Sequence, residues 1–448
     1  MPMTTIVVSQ APGVINSALL KHWYLDDPKP GSLDSSAEKS VKVRGWVVPQ
    51  PGCTVASVVL QHGDNTFEFK LTEKRMDVAR RFESLGMPDA TSPRCGFNFK
   101  LNIERGKFRI GFKFDDVIVW GASIDVVVTL KVEEGSDGWL FLGNDTNRSM
   151  EQFSGKRLLT DEELGLWDQY FNSVRDLSKA RAFKYSFVLA PAKEFCVPEH
   201  YPVQRGEKNT VDQFLALFKN QNQILWPRDE LAQDKEQTYW KGDTHWSDYG
   251  AYVTALLALK GLELNTDPCE QLPPYAMLRR AGDLGGKLSP PKKFAVATAD
   301  FSAINRHLVF DNEIHNHGRI RIYQYTAPKY PSSTCICFGD SFSVNLIPWL
   351  VPYFGRLIYV HSAAALDLDL LEFEKPTHVL FQTNSRFIIS PPKIEGNLKE
   401  SMISKLKLFS DEKRLLLTRK FEDSLRSRCE NHFYYELMLT MLESASKN

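Results

Sequence analysis

The feature that most constrains this chain is a change of hydrophobic period near Gly138. Before it, from Val41 to about Val128, apolar and polar residues alternate in short runs: VKVRGWVV, ASVVLQH, NTFEFKL, GFNFKLNI, GKFRIGFKF and SIDVVVTL. Gly, Pro, Asn and Asp sit between the runs. A period of two puts one face of each run into a core, and runs at this spacing describe an antiparallel β-sandwich. Only RMDVARRFESL breaks the pattern, as a short helix or a loop. Trp46 and Trp120 are either core residues of the sandwich or stacking platforms for a sugar ring.

Beyond Gly138 strands alternate with helices, the pattern of an α/β domain with a mainly parallel sheet. Thr160 to Ala180 reads as a helix, with Thr160 and Glu163 as a capping box and Leu164, Trp167, Phe171, Val174 and Leu177 on one stripe. It feeds the strand YSFVLAP, and a second helix runs from Ser247 to Gly261. TCICFGDS, RLIYVHS and THVLFQTN are apolar enough to be buried strands of one sheet. Cys335 and Cys337 alternate on the first of these, as two small apolar groups facing one side. The Pro-rich interval from about Leu262 to Ser332 is expected to be an insertion or cap over the sheet edge, and the charged tail from Glu395 to be helical. That tail either docks on the body or pairs with a second copy, so it is a candidate homo-oligomer contact. The expected divisions are 1–130, 131–394 and 395–448.

Composition excludes several classes. With 55 Lys plus Arg against 55 Asp plus Glu and no long basic block, nucleic acid is not an expected partner. No apolar run reaches the roughly 18 residues of a membrane helix. The N-terminus lacks the basic start, apolar core and cleavage site of a secretory leader, so a cytoplasmic location is expected. Seven scattered cysteines without a C-x-x-C pair, Cys269 and Cys429 among them, point to neither a disulfide framework nor a zinc site. His315 and His317 form an H-x-H without a carboxylate or Cys cluster nearby, so no metal is expected.

Two motifs carry chemistry. FGDSFS places Ser341 just past an apolar strand, at the carboxyl edge where open α/β sheets build their sites. Gly339 is expected to let the backbone turn there, and the amide after the turn to serve an oxyanion. WKGDTHWSDYG supplies His245 as a base for the serine hydroxyl, with Asp243 placed to accept the other ring N–H. Each motif has a plainer reading, as a loop and as the cap of the next helix.

Together with DGWLFLGND at 137–145 and APAKE at 190–194, these motifs resemble the SGNH-hydrolase-like proteins that O-acetylate alginate and related bacterial exopolysaccharides. The resemblance spans roughly Asp137 to Phe387. It implies a three-layer SGNH-like parallel-sheet domain, after the β-sandwich and before the helical tail, with Ser341 as nucleophile, His245 as base and Asp243 as its orienting acid. Ordinary SGNH enzymes present the serine block first and the Asp–His pair last; here the order is rotated. In that alignment Asn384 falls where an oxyanion donor belongs, and Ser362 or Ala363 replaces the usual Gly of the second block. GWVVPQPG, RMDVARRF and CGFNFKL are similar to a β-sandwich module that accompanies bacterial polysaccharide enzymes.

Around the trio, Arg386 is expected either to bind substrate or to close an ion pair, and Trp246 either to line an acceptor groove or to pack under its loop. Lys193 either meets substrate or, like Glu194, pairs with its neighbour in the sequence or with other groups nearby. The resemblance implies a carbohydrate O-acetyltransferase acting on a glycan through an acetyl-serine; no bound cofactor is expected, and a cytoplasmic location would put acetyl-CoA at hand as the acetyl donor. A carbohydrate esterase or deacetylase, and a non-catalytic glycan-binding or assembly protein, are the alternatives.

Overall fold

The computed structural model describes residues 3–8, 18–28, 31–35, 40–62, 65–85, 92–102, 106–129, 131–143, 145–267, 272–396, 398–426 and 431–446. Cys269 and Cys429 lie outside them. The chain divides into one compact unit of Met1–Lys131 with Gly143–Thr146, and a second of Val132–Leu142 with Asn147–Asn448.

The first unit is a sandwich of two antiparallel sheets. The larger has the spatial order Gly31–Ser35, Met3–Val8, Val117–Thr129, Gly106–Phe114, Ser57–His62, Asn65–Phe69, and the smaller Leu20–Asp27, Ser40–Pro49, Gly96–Asn102. Leu20, Trp23, Val43, Val47 and Phe97 from the small sheet meet Val58, Leu60, Phe108, Ile110 and Phe112 from the large one in a single core. Three strands therefore join ahead of Val41, where the sandwich was expected to begin. Met76–Ser84 is a helix, and its Val78 and Phe82 cover Trp46. Trp46 is 6% exposed, so it is a core residue and not a platform. Trp120 carries the Arg109 guanidinium over its ring at 4.3 Å.

The second unit is built on seven strands: β1 (Lys184–Ala190), β2 (Ile224–Leu225), β3 (Leu308–Asp311), β4 (Ile320–Gln324), β5 (Tyr330–Gly339), β6 (Phe354–His361) and β7 (His378–Asn384), in the order β2-β1-β7-β5-β6-β4-β3. The five strands from β2 to β6 run parallel, whereas β4 and β3 close the edge antiparallel. Alternation along the strands creates two faces, each with its own helices. Phe187 meets Trp167, Phe171 and Phe214, placing α1 (Asp161–Arg181) on one side. Its neighbour Ser186 faces Gly261 of α2 (Asp248–Gly261) on the other. Cys337 faces Ser343 of α3 (Ser343–Leu350), while Phe338 stacks on Phe381 opposite. This is the three-layer arrangement.

The Pro-rich interval is only partly a cap. Tyr275–Arg280 and Phe294–Ala299 form a separate ribbon, but β3 and β4 belong to the main sheet. The short, charge-interrupted sequence LVFD of β3 suits an edge, where one side of the ladder has no further strand to satisfy among the described residues, while β4 is paired on both sides. The C-terminal helices α4 (Leu398–Leu406), α5 (Asp411–Arg426) and α6 (His432–Ser446) dock on this edge through Met402, Leu417, Phe421, Tyr434 and Met438, which share the core with Phe310. No helix among the described residues is long and apolar enough to cross a membrane.

The entry to α1 is set locally: Thr160 Oγ1 accepts the Glu163 N–H at 3.2 Å and Glu163 Oε2 accepts the Thr160 N–H at 2.9 Å. Replacing Thr160 by Ala should lower stability by about 1 kcal/mol. The measurement is a shift of the urea midpoint at unchanged slope.

Candidate active site

Ser341 stands two residues past β5, the central strand, and two before α3. The turn that presents it is built by Asp340, whose carboxylate accepts the Phe342 N–H at 2.8 Å and the Asn384 N–H at 2.6 Å. Burial raises the pKa of Asp340, against those bonds and the charge of Arg386. Its own N–H goes to Gln382 Oε1 at 2.9 Å, an oxygen shared with the Ser343 hydroxyl at 2.7 Å. Gly339 is required here, though for a different reason than a left-handed turn. A Cβ at this position would lie 2.0 Å from Ser343 Oγ, so the residue is small because α3 closes tightly on the strand end.

The segment 239–246 delivers the base. Tyr239 and Trp246 pair across its neck, and Ser247 caps α2 by accepting the Gly250 N–H. Next to that neck His245 Nδ1 donates to Asp243 Oδ1 at 2.7 Å, and Ser341 Oγ donates to His245 Nε2 at 2.8 Å. Holding the proton on Nδ1 leaves Nε2 with its lone pair toward the hydroxyl, the arrangement a general base requires. Asp243 Oδ1 also accepts the His245 N–H, and Oδ2 accepts the Asp283 N–H at 2.9 Å. Burial alone would raise the pKa of Asp243, but the imidazole and these two amides outweigh it and hold the carboxyl well below the usual carboxylate range.

Asp283 was not legible in the sequence, since it lies in the interval expected to be a cap. It accepts the Thr244 N–H at 2.7 Å and the Thr244 hydroxyl at 2.6 Å. The turn that carries it clamps Gly242, whose carbonyl accepts the Leu284 and Gly285 N–H groups. Gly282, at φ +70°, packs so close to that carbonyl that a Cβ would sit 2.3 Å from it. Asp243, His245 and Asp283 are also the cluster whose donor atoms lie within 4.8 Å of one another. Their facing atoms are engaged in the bonds just described, which suits an orienting network better than an ion.

The remaining expected site residues take varied places. Trp246 is fully buried; its Nε1–H donates to the Phe342 carbonyl at 3.1 Å, so it ties the base segment to the nucleophile turn instead of lining a groove. The Phe342 ring lies 4.8 Å from that of His245. Asn384 ends β7, fully buried, with its Oδ1 accepting the Arg386 N–H and its Nδ2 buried without a hydrogen-bond partner among the described residues. Arg386 forms no ion pair with a described residue; its guanidinium stacks on Phe387, and it lines a narrow crevice with Phe141, Lys193, Glu194 and Thr244. In the second block the Ser362 and Ala363 N–H groups both donate to the Gly339 carbonyl, so neither amide is free for an oxyanion. Ala363 and Ala364 are left-handed, at φ 52° and 69°, the shape a Gly adopts without strain.

Lys193 and Glu194 are buried, not a surface pair. His361, beside Gly339 in the β5–β6 register, was also missed. Burial, with His317 and Arg319, pushes it down to about 3, so the ring is neutral; it contacts the Tyr359 hydroxyl, which donates to the Asp340 carbonyl.

Residues 132–286 match the family described as SGNH hydrolase-like domain, acetyltransferase AlgX. The matched segment holds Lys193, Asp243, His245 and Asp283, while Ser341 lies beyond it. No curated protein sequence matches the chain. Solved structures similar to it include Bacillus cereus PatB1, at 11% identity over 60% of this chain and 99% of that one, TM-score 0.42. The O-acetyltransferase domain of Pseudomonas putida AlgJ matches at 18% identity over 59% and 95%, TM-score 0.36. A DHHW family protein from Eubacterium siraeum matches at 13% identity over 64% and 96%, TM-score 0.34.

Two outcomes follow for stability. Gly339→Ala should cost about 1–3 kcal/mol, because the added methyl displaces Ser343; a denaturant midpoint equal to the unsubstituted protein's would remove the steric argument. Because the folded-state pKa of Asp243 is depressed, its stabilisation is complete above the unfolded value near pH 4 and is lost as pH falls through the folded one. Unfolding free energy should therefore drop more steeply below about pH 4 in the unsubstituted protein than in Asp243→Asn.

Proposed function

We propose that this protein is a carbohydrate O-acetyltransferase working through an acetyl-Ser341 intermediate. The observation that carries the reading is the unbroken chain Ser341 Oγ, His245 Nε2, His245 Nδ1, Asp243 Oδ1, with contacts of 2.8 and 2.7 Å. Both Ser341 and His245 are partly exposed, so an ester can reach them. The match of 132–286 to an acetyltransferase family supports the acyl group and the reaction class.

In the first half-reaction His245 Nε2 takes the hydroxyl proton as Ser341 Oγ attacks the acetyl carbonyl. The imidazolium that forms is stabilised by Asp243, then returns its proton to the departing alcohol or thiol of the donor. In the second, a sugar hydroxyl attacks the acetyl carbonyl and gives its proton to Nε2. Collapse releases the acetylated sugar and returns the proton to Ser341. The unpaired Nδ2 of Asn384, at the carboxyl end of the neighbouring strand, is the donor we assign to the carbonyl oxygen as charge develops on it. Acetyl-CoA, or another activated acetyl ester or thioester, would serve as donor.

A cavity of about 650 Å³ opens beside the base segment, walled by Trp240, Tyr249, Tyr275, Met277 and Phe294. Aromatic faces with polar groups at their edges suit the apolar face and hydroxyl rim of a sugar ring, but Ser341 and His245 do not line this cavity, so it would hold a part of the acceptor away from the reacting hydroxyl.

Incubation with 4-nitrophenyl acetate should give an acetyl adduct on Ser341 by intact-mass and peptide spectrometry. Ser341→Ala should lose the adduct and lower kcat by roughly a thousandfold or more, and adding His245→Ala should cost little further, since the two act as a unit. Absence of the adduct would overturn the reading. An adduct that water clears as fast as any oligosaccharide clears it would identify an esterase instead.

A further inference from the structure

The mechanism leaves a buried cation beside the site without a task. Lys193 is 2% exposed, yet it forms no ion pair with a carboxylate among the described residues. Its Nζ donates to three backbone carbonyls, those of Trp240 at 3.1 Å, Lys241 at 3.2 Å and Asp243 at 2.7 Å. An ammonium has three hydrogens, and all three are used on the segment that presents the catalytic pair. The shortest contact is to the main chain of Asp243 itself. The Lys241 carbonyl also accepts the Leu140 N–H at 2.9 Å, so the strand after Trp139 holds the same stretch.

The surroundings keep water away from this contact. Trp139 and Phe141 present ring faces 5.5 and 5.2 Å from Nζ, and Lys241 approaches Trp139 at 5.3 Å. The charges of Asp243, Asp283 and Glu194 favour the ammonium, without a direct ion pair among the described contacts. The GWLF, APAKE and DTHW motifs thus meet at a single nitrogen.

We propose that Lys193 is a positioning residue for acyl transfer: its ammonium fastens the 240–243 backbone so that the Asp243–His245 pair stays within hydrogen-bonding reach of Ser341. The proposal rests on the acyl-transfer reading of the site. The charged form is the one that works. A neutral amine has two hydrogens and a lone pair, and the lone pair would face the third carbonyl oxygen. Burial pulls Lys193 down to about 7, against the opposing charges of Asp243, Asp283 and Glu194. Fastening is therefore complete below that value and weakens as pH rises through it. Global stability moves the other way: between about 7 and the unfolded value near 10.4 the unfolded chain holds more protons, so this group makes folding more favourable as pH rises. Activity and stability should part company on the alkaline side.

The test uses the full chain and Lys193→Met, a side chain of similar length without hydrogens to donate. On a small activated ester, kcat should fall about tenfold or more with KM changed by less than about twofold, because substrate contacts are intact and orientation is lost. In proton NMR the downfield Nδ1–H resonance of His245, assigned by its absence in Asp243→Asn, should vanish or broaden while circular dichroism is retained. The unsubstituted protein should lose kcat as pH rises through about 7 without a fall in its melting temperature. Lys193→Met with unimpaired kcat and an intact resonance would overturn the proposal. Should the variant not fold, a kcat flat from about pH 6 to 9 in the unsubstituted protein overturns it equally. The NMR arm does not depend on turnover, so a failure of the acyl-transfer reading and a failure of the fastening are distinguished.

Discussion

The contact between His245 Nε2 and Ser341 Oγ joins residues 96 positions apart, and most of the second unit serves to keep it closed. A hydrogen bond contributes only about 1 kcal/mol net, far too little to organise two loops by itself. The loops are instead held by buried polar groups that would be costly to strand. Trp246 donates to the Phe342 carbonyl, Asp283 braces Thr244 and Asp243, and Lys193 saturates three carbonyls behind them. Each of these groups, if unpaired, would forfeit roughly 1–3 kcal/mol, so the pair reaches the hydroxyl already oriented.

The sheet decides which loops can meet. β5 lies centrally between β7 and β6, all three parallel, so their carboxyl ends bring Ser341, Asn384 and His361 to one edge. Asp340 crosses from β5 to β7 by accepting the Asn384 N–H, and Gln382 crosses back by accepting the Asp340 N–H. The rotated order of blocks along the chain is compatible with this edge because strand neighbours, not sequence neighbours, set the site. The second block departs most: its amides turn inward to Gly339, and Ala363 and Ala364 hold left-handed backbone without the freedom of a Gly. The side-chain amide of Asn384, at the end of the neighbouring strand, is a buried donor without a partner among the described residues.

Much of this was open to a reading of the sequence. The change of period at Gly138, the Thr160–Glu163 box, the buried strands TCICF, RLIYV and THVLF, and the DTHW and GDS motifs all depend on residues two to four positions apart. Such interactions are written locally, because a strand repeats every two residues and a helix cap spans three. The strand that carries Leu20, Trp23 and Leu25 was missed, because register irregularities near its two ends, between Leu20 and His22 and between Leu25 and Asp27, break its period of two.

What only the tertiary structure decided has the opposite character. Lys193 finds a carbonyl 50 residues away, Asp283 an amide 39 residues away, and Gln382 an amide 42 residues away. Every residue offers the same backbone carbonyl and nearly every one the same N–H, so no pattern of residue types marks those partners in advance. The same holds for Gly339, which is small because a hydroxyl on the following helix comes to rest against it. The sequence by itself determined which residues could do chemistry and which elements would carry them. The assignment of Lys193 and Asp283 to hold those elements in place came from the packing, because main-chain partners are chosen by position in space and not by identity.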